Sequence, residues 1–473
     1  MPARAVSSRT LIAGALSASA LLAGCATVSA ADLAAAGERL ERAVGATPRS
    51  GLEAADSRAG RVAELLAEPV TPEQAARIAV SGHPRVAAAF ARLGLAQADV
   101  LAGSLPANPT LSLTRLVPDH DEPDVLKQAF GIDLLSLVTL PSRSAAAREA
   151  WEGARARAIG EALLVAGQAR AAMIDHIAAA QQLDLMRQAN EASQAALAAA
   201  EAIHAAGNSA RVEVDRERLF AAEVSLLLRQ AEAEFAASRE EVSAALGLTG
   251  EQARGWTASR RLPPPPADPI AGDGIEAAVL SASTDRAQAM AVLEASRILA
   301  RSTVLTSWLP GLELEAERER DGDWKQGLGL GAVLPLFGLG GPDRLRAEQA
   351  TALAAAEAEA IDLELRAEAR AAFIRAEAAR SMAVERREIL LPLSQAVFEG
   401  VQLDFNAMQA GIFQLLEAKR ARLETGRTAI EATRVYWQAQ AGLDLLLAGG
   451  RPGGPAVSAM PAASGPARPD PGH

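Results

Sequence analysis

The sequence predicts a mainly α-helical chain with a small β part, in which long antiparallel helical hairpins are joined to four short strands. Aromatic residues make up only 3 % of the 473 residues and alanine is abundant, which suits long helices that pack closely. Two stretches, about 142–206 and 343–410, have helical composition over roughly 65 residues each, or about 100 Å of helix. Helices of that length require a coiled-coil partner.

The chain contains one structural module twice. Leu105-Pro106 precedes an alternating stretch, and Leu309-Pro310 does the same 204 positions later. Gly207 and Gly411 each follow a long helical run at that same offset. Several coincidences at one offset indicate a duplication.

Each half is predicted to hold the same elements in the same order. A helix (about 72–103 or 275–306) precedes two strands and the long helix, and a shorter helix returns over about 209–246 or 412–448. Thr71, Pro72 and Gln74 open the first helix as N-cap, N1 and N3 residues. The predicted segments are a signal peptide (1–24), a lipid-anchored extended segment (25–70), the first repeat (71–262), a Pro-rich linker (263–274), the second repeat (275–448) and a disordered tail (449–473).

The strand candidates alternate apolar residues with polar or very small ones. Their apolar positions are Leu111 and Leu113, then Phe130, Ile132 and Leu134, then Leu312, Leu314 and Ala316, and finally Leu328, Leu330, Ala332 and Leu334. This period of two is the pattern of a transmembrane β-barrel, although two hairpins on a soluble domain would also produce it. Four strands cannot close a barrel in lipid, so transmembrane strands imply a homotrimer with twelve.

The N-terminus has the features of an export signal. Arg4 and Arg9 precede the apolar stretch 10–22, which is short for a membrane span. The sequence Leu-Ala-Gly-Cys at 22–25 resembles the bacterial lipobox, which predicts a covalent lipid such as palmitate on Cys25, the only cysteine. An ordinary signal peptide with an incidental cysteine is the alternative. Ala26, in place of the aspartate that retains lipoproteins at the inner membrane, favours the outer membrane.

Several kinds of chemistry are excluded by the sequence. The net charge of −11 argues against nucleic acid as a partner. None of the five histidines stands beside another histidine or a cysteine at ligand spacing, which predicts no metal site. Gly327-Leu-Gly-Leu-Gly331 lacks the spacing of a nucleotide-binding loop. We therefore expect no enzyme and no cofactor apart from the lipid on Cys25.

These features together resemble the TolC family of outer-membrane efflux proteins, over about residues 71–448. The segment 406–420 resembles the family's glycine-bearing helical turn, and His204-Ala-Ala-Gly207 with Val212-Glu213-Val214 is its counterpart in the first half. Leu246-Gly247 resembles the end of the family's first return helix. Met408 and His204 stand where the family often has tyrosine, so a tyrosine-mediated closed state is not expected.

The resemblance implies a homotrimer in which twelve strands form a β-barrel in the outer membrane and twelve helices form a periplasmic α-barrel. Gly207 and Gly411 match the tips that contact a periplasmic adaptor protein, which in turn binds an inner-membrane efflux transporter. The candidates for a gate or selectivity ring at the tips are Glu213, Glu417, Arg420 and His204. Solvated helix faces would carry the same residue types.

The expected function is that of a passive exit duct for substrates that leave the periplasm. A periplasmic adaptor would have one helical hairpin between β-rich halves, whereas this chain has two hairpins in tandem. A lipid-anchored coiled-coil scaffold without a pore is the other alternative, and the four alternating strands oppose it. The segment 408–419 resembles family members that export copper or heavy metals, which favours such a cargo.

Overall fold

The computed structural model describes residues 30–48, 55–117, 124–308, 310–321 and 323–452. The predicted signal peptide, Cys25, His120 and the predicted tail beyond Pro452 lie outside the described residues. The chain is mainly helical with four strands, as predicted.

The two halves share the order of two helices, two strands, a long helix and a return helix, and the first half has further helices at its two ends. The first half contains α1 (Ala30–Val44), α2 (Ala55–Leu65), α3 (Pro72–Gly82), α4 (Pro84–Gly103), β1 (Thr110–Leu116), β2 (Val125–Asp133), α5 (Leu134–Ala205), α6 (Arg211–Leu246) and the short α7 (Glu251–Gly255). The second half contains α8 (Ile275–Ala282), α9 (Thr284–Thr306), β3 (Leu312–Asp321), β4 (Asp323–Ala332), α10 (Gly341–Glu385), a π-helical turn (Arg386–Leu390), α11 (Leu391–Asn406) and α12 (Ile412–Ala448).

The predicted helix over 72–103 is two helices. The capping box at its start is present, with the backbone N–H of Gln74 donating to Thr71 Oγ1 at 3.2 Å and that of Thr71 donating to Gln74 Oε1 at 2.8 Å. The helix ends at Gly82 because Pro84 has no N–H and disfavours helical backbone at His83. In the second half, Ser283 makes the equivalent break and caps α9.

The long helix of the first half begins earlier than predicted, at Leu134, and spans 72 residues. Asp133 caps it by accepting the backbone N–H of Ser136 at 3.0 Å, so Leu134 is helical and the prediction that it belongs to the strand was wrong. In the second half the long helix is interrupted by the π-helical turn, two residues before Pro392. Pro392 cannot donate a backbone hydrogen bond, and such a position favours an irregular turn.

The predicted extended segment over 25–70 contains two helices where it is described. Ala36, Leu40 and Val44 recur every four residues along α1, so they share one face of a helix. Ala36 and Leu40 are fully buried, and Val44 packs against the same core. The segment is helical because this apolar stripe packs on the core, and its short periodicity was missed in the sequence.

The start of the predicted disordered tail is also ordered. Gly449 ends α12 with a φ of 97°. The guanidinium group of Arg451 pairs with Glu364 at 2.7 Å and with Glu368, and its Nε donates to Glu368 at 3.0 Å. These ion pairs fix residues 449–452 on α10.

The four strands form one antiparallel sheet in the order β1-β2-β3-β4. The β2–β3 pairing joins the two halves, with Phe130 opposite Ala316 and Gly131 opposite Glu315. The last strand ends at Ala332, so Leu334 lies beyond it, contrary to the prediction. β1 and β4 are the edges of the sheet.

The helices pack around two main apolar cores. The first lies among α3, α4, α5 and α6, and the second among α8, α9, α10 and α12. Helix α4 is long and apolar enough to cross a membrane; 28 % of that stretch is buried, and Val86, Leu93 and Val100 pack into the first core. Towards the hairpin ends, α6 packs on α5, α5 contacts α12, and α12 packs on α11.

Candidate functional site: the hairpin tips and the sheet

The first hairpin reverses between Ala205 and Arg211. Gly207 has a φ of 79°, in the left-handed region that L side chains rarely adopt. The N–H of Asn208 donates to the carbonyl of Ile203 at 3.1 Å and that of Gly207 to His204 at 2.8 Å, which is a Schellman-type closure. No atom lies within 4 Å of an added Cβ at Gly207, so the backbone angle, and not lack of space, favours glycine here.

The second hairpin makes the same turn with different residues. The N–H of Gln409 donates to the carbonyl of Asp404 at 2.8 Å and that of Met408 to Phe405 at 3.0 Å. Met408, with a φ of 59°, therefore occupies the left-handed position. Gly411 is the N-cap of α12 and has a φ of −84°, which any residue can adopt. Both glycines lie at the tips, but a positive φ, which favours glycine, occurs only at Gly207.

Three of the four gate candidates lie on the helices that leave the turns. Glu213 is in the first turn of α6, where the positive end of the helix dipole stabilises a carboxylate. Glu417 is exposed on α12. Neither has an ion-pair partner within 4.0 Å among the described residues. Arg420 pairs with Glu223 at 3.2 Å, and its guanidinium carbon lies 5.1 Å from the ring centroid of Phe220.

His204 spans the first turn. Its Nδ1 lies 2.7 Å from the carbonyl oxygen of Ser209, so the hydrogen bond requires the proton on Nδ1. The histidine thereby stabilises the reversal that Gly207 permits.

The return helices α6 and α12 hold the two tips together. The guanidinium carbon of Arg216 lies 3.5 Å from the ring centroid of Phe413, and Phe220, Val224 and Leu416 form a small apolar cluster between the helices. The sequence did not reveal Glu217, which is only 2 % exposed and lies across from Lys419, with Oε1 3.9 Å from Nζ. The one feature of the sequence that could have drawn attention to this pair is that lysine is rare in the chain, with Lys419 one of very few.

The sheet has a mainly apolar face, which also carries Arg318 and Arg320 near the β3–β4 turn, and a polar face. The register aligns Leu111, Phe130, Ala316 and Leu328 across the four strands on one face. Leu111 and Leu328 are 70 % and 82 % exposed in the single chain. The next row aligns Thr110, Gly131, Glu315 and Gly329 on the other face. That polar face also carries Glu313, Glu317, Glu319, Lys127 and Lys325.

A buried histidine in the first core has a structural explanation. His176 Nδ1 lies 2.9 Å from the hydroxyl of Ser238, and its ring stacks on Phe235 and meets the edge of Trp256. Burial, and then the nearby charge of Arg239, lower the pKa of His176 to about 4. Within the described residues, no group of three His, Cys, Asp or Glu side chains could hold a metal ion.

Comparison with known proteins gives a match of fold. No family model and no curated protein matches the sequence. The chain superposes on the CmeC outer membrane channel of Campylobacter jejuni with a TM-score of 0.68 and 14 % identity, over 80 % of this chain and 86 % of that one. This chain has the TolC-like fold.

Other solved structures with this fold agree. The outer membrane protein VceC of Vibrio cholerae gives a TM-score of 0.66 at 16 % identity, covering 83 % of this chain and 97 % of its own. The MtrE outer membrane channel of Neisseria gonorrhoeae gives 0.62 at 15 % identity, covering 80 % and 90 %. The predicted resemblance is therefore confirmed at the level of the fold. CmeC and MtrE are both outer membrane channels.

Proposed function

We propose that this TolC-like chain is an outer-membrane exit duct of a tripartite efflux system and conducts substrates passively as a homotrimer. The observation that carries the proposal is the open four-stranded sheet, whose mainly apolar face carries exposed leucines such as Leu111 and Leu328. Such a face fits lipid, but the free backbone groups at the edges β1 and β4 would be left without partners there. Pairing β1 of one copy with β4 of the next satisfies them, and three copies give a closed barrel of twelve strands.

The helices support the same head-to-tail arrangement. Val212, Leu219 and Leu226 form an exposed stripe on α6, with one residue every seven positions, and Leu393 and Val397 form another on α11. These two helices lie on either side of α5 and α12. Exposed apolar stripes with heptad spacing are typical of coiled-coil contacts. We infer that α6 of one copy packs against α11 of the next, which closes a periplasmic α-barrel of twelve helices.

The polar face of the sheet fits the inside of such a barrel. With the apolar face outward, the glutamates of β3 line the lumen, where they attract cations. Glu319 is partly neutralised by Lys127 at 3.3 Å, whereas Glu313, Glu315 and Glu317 have no ion pair among the described residues. A water-filled, acidic lumen is a property of a duct and not of a pore-free scaffold.

The remaining parts of the assembly follow from the resemblance. A lipid on Cys25 anchors each copy in the outer membrane, and the tips with Gly207 and Gly411 contact a periplasmic adaptor that binds an inner-membrane transporter. Met408 is 95 % exposed and Phe413 55 % exposed at these tips, and such apolar side chains suit a protein contact. Glu213 and Glu417, with Arg420 and His204, are the candidates for a gate.

Copper or another heavy metal remains a hypothesis for the cargo. Its support is the resemblance of segment 408–419 to members that export metals, and a duct passes ions without holding them at a fixed site. We assign the choice of cargo to the inner-membrane transporter.

Cysteine accessibility in planar bilayers tests the proposed pore. Glu315→Cys places a thiol on the proposed lumen face, and Leu328→Cys is the matched control on the opposite face of the sheet. We expect the purified protein to conduct as a trimer, and a hydrophilic methanethiosulfonate reagent to reduce the current of the Glu315→Cys protein only. The unsubstituted chain controls for Cys25. Absence of conductance from a stable trimer, or equal block of both variants, would refute the proposal.

A further inference from the structure

A cavity of about 680 Å³ lies between the two helical hairpins, along the helices and away from the turns at their tips. One wall comes from α5, a second from the start of α11 and a third from α12, and Phe220 of α6 completes the lining. This volume is within the range of small-molecule sites in proteins. This cavity could not be predicted from the sequence, because its walls come from four separate helices.

The cavity exists because small residues face one another where the long helix is irregular. Ala189 and Ala192 on α5, Ser394 on α11 and Gly426 on α12 all border it. Leu391 and Pro392, which also line it, follow directly after the π-helical turn. A π-helical turn widens a helix locally, and such turns are frequent at functional sites.

The lining combines apolar surface with positive charge. Its apolar side chains include Leu185, Phe220, Phe398 and Leu423. Lys419 and Arg422 are the charged residues of the lining, and no aspartate or glutamate belongs to it. In a chain with a net charge of −11, this cavity is therefore locally positive.

The two cations differ in their availability. Lys419 already lies 3.9 Å from the carboxylate of Glu217. The guanidinium carbon of Arg422 lies 5.0 Å from the ring centroid of Phe398, and Arg422 has no carboxylate within 4.0 Å among the residues that the structure describes. Arg422 is thus positioned to bind an anion while the aromatic ring beside it contacts an apolar group.

We propose that this cavity binds an amphipathic organic anion, with an aromatic or aliphatic body and one carboxylate or sulfonate group. The acid group contacts Arg422, with Lys419 as a second cation, and the body packs on Phe220, Phe398 and Leu423. An occupant of this size would touch both hairpins of one subunit. The binding site lies within one chain, so the inference is independent of the proposed pore.

Equilibrium dialysis of the full-length protein in lipid nanodiscs tests the site, with empty nanodiscs subtracted. The probes are 1-naphthalenesulfonate, neutral 1-naphthalenemethanol and cationic 1-naphthylmethylammonium. We expect the sulfonate to saturate at one molecule per chain, and the ammonium compound to bind about tenfold more weakly or worse, because it meets two cations.

Three variants separate the contributions. Arg422→Gln should weaken sulfonate binding about tenfold while leaving the neutral probe unchanged. Ala192→Phe should abolish binding of both probes by filling the cavity. Arg387→Gln is the control: it removes a nearby charge that is not in the lining, and probe binding should stay at the level of the unsubstituted chain. Circular dichroism checks the helical content of each variant. Sulfonate binding that survives Ala192→Phe, a preference for the ammonium probe, or no saturable binding at all would overturn the inference.

Discussion

Acidification should destabilise this protein through His176. The imidazole is 2 % exposed, and its pKa of about 4 in the fold compares with 6.5 in an unfolded chain. Between these two values the unfolded state binds a proton that the folded state excludes, so stability falls as the pH falls from 6.5 to 4. The interval of about 2.5 units corresponds to about 3 kcal/mol per chain at about 1.4 kcal/mol per unit. Below pH 4 this group causes no further loss.

The measurement is the free energy of unfolding by urea, followed by circular dichroism between pH 7.5 and 4. Carboxylates elsewhere in the chain also titrate in this range. The unsubstituted chain is therefore compared with the His176→Leu variant, whose leucine cannot be protonated. Ser238 keeps a hydrogen-bond partner in that variant, because its hydroxyl also donates to the carbonyl of Phe235 at 3.0 Å. The unsubstituted chain should lose about 3 kcal/mol more than the variant across the range. Equal losses in both proteins would refute the buried, neutral state of His176, and His204→Leu at the tip controls for the loss of a histidine elsewhere.

Three further predictions concern the tips, the subunit contact and the lumen. Gly207→Ala should destabilise the protein by about 1 kcal/mol, because φ is positive at that position, whereas Gly411→Ala should be tolerated. Urea unfolding of both variants measures the difference in the free energy of unfolding. Equal losses in the two variants would contradict the turn geometry. Leu219→Glu should shift the trimer towards monomers without reducing the helical content, since the side chain is 57 % exposed in the single chain. Native mass spectrometry in mild detergent measures the oligomeric state. An intact trimer would exclude α6 from the subunit contact. Glu315→Lys should lower the cation-to-anion permeability ratio of the pore, measured by reversal potentials in a salt gradient, and an unchanged ratio would place Glu315 outside the lumen.

The sequence predicted the elements where local chemistry decides them. The capping box of Thr71 and Gln74 set the start of α3, and alternation along β3 and β4 set the two faces of the sheet, because period two follows from the geometry of a single strand. Boundaries were less accurate. Leu134 has the same apolar character in a strand or a helix, and only the cap at Asp133 decides between them.

The tip residues show why a repeat in sequence is an incomplete guide to geometry. Gly207 and Gly411 are 204 positions apart in a duplicated chain, yet the hydrogen bonds of the two turns align Gly207 with Met408. Backbone torsion at a turn depends on where the helix before it ends, which a sequence offset does not specify.

The helical content, the duplication, the alternating strands and the resemblance to the TolC family could all be predicted from the amino-acid order, because each depends on spacing along the chain. The contacts between side chains of different helices became visible only in the folded chain. They are Glu217 with Lys419, Arg216 with Phe413, and the cationic cavity beside Arg422. The first two contacts join residues about 200 positions apart. The distances in all three places depend on how the two hairpins pack, a three-dimensional relation that no periodicity within one segment encodes.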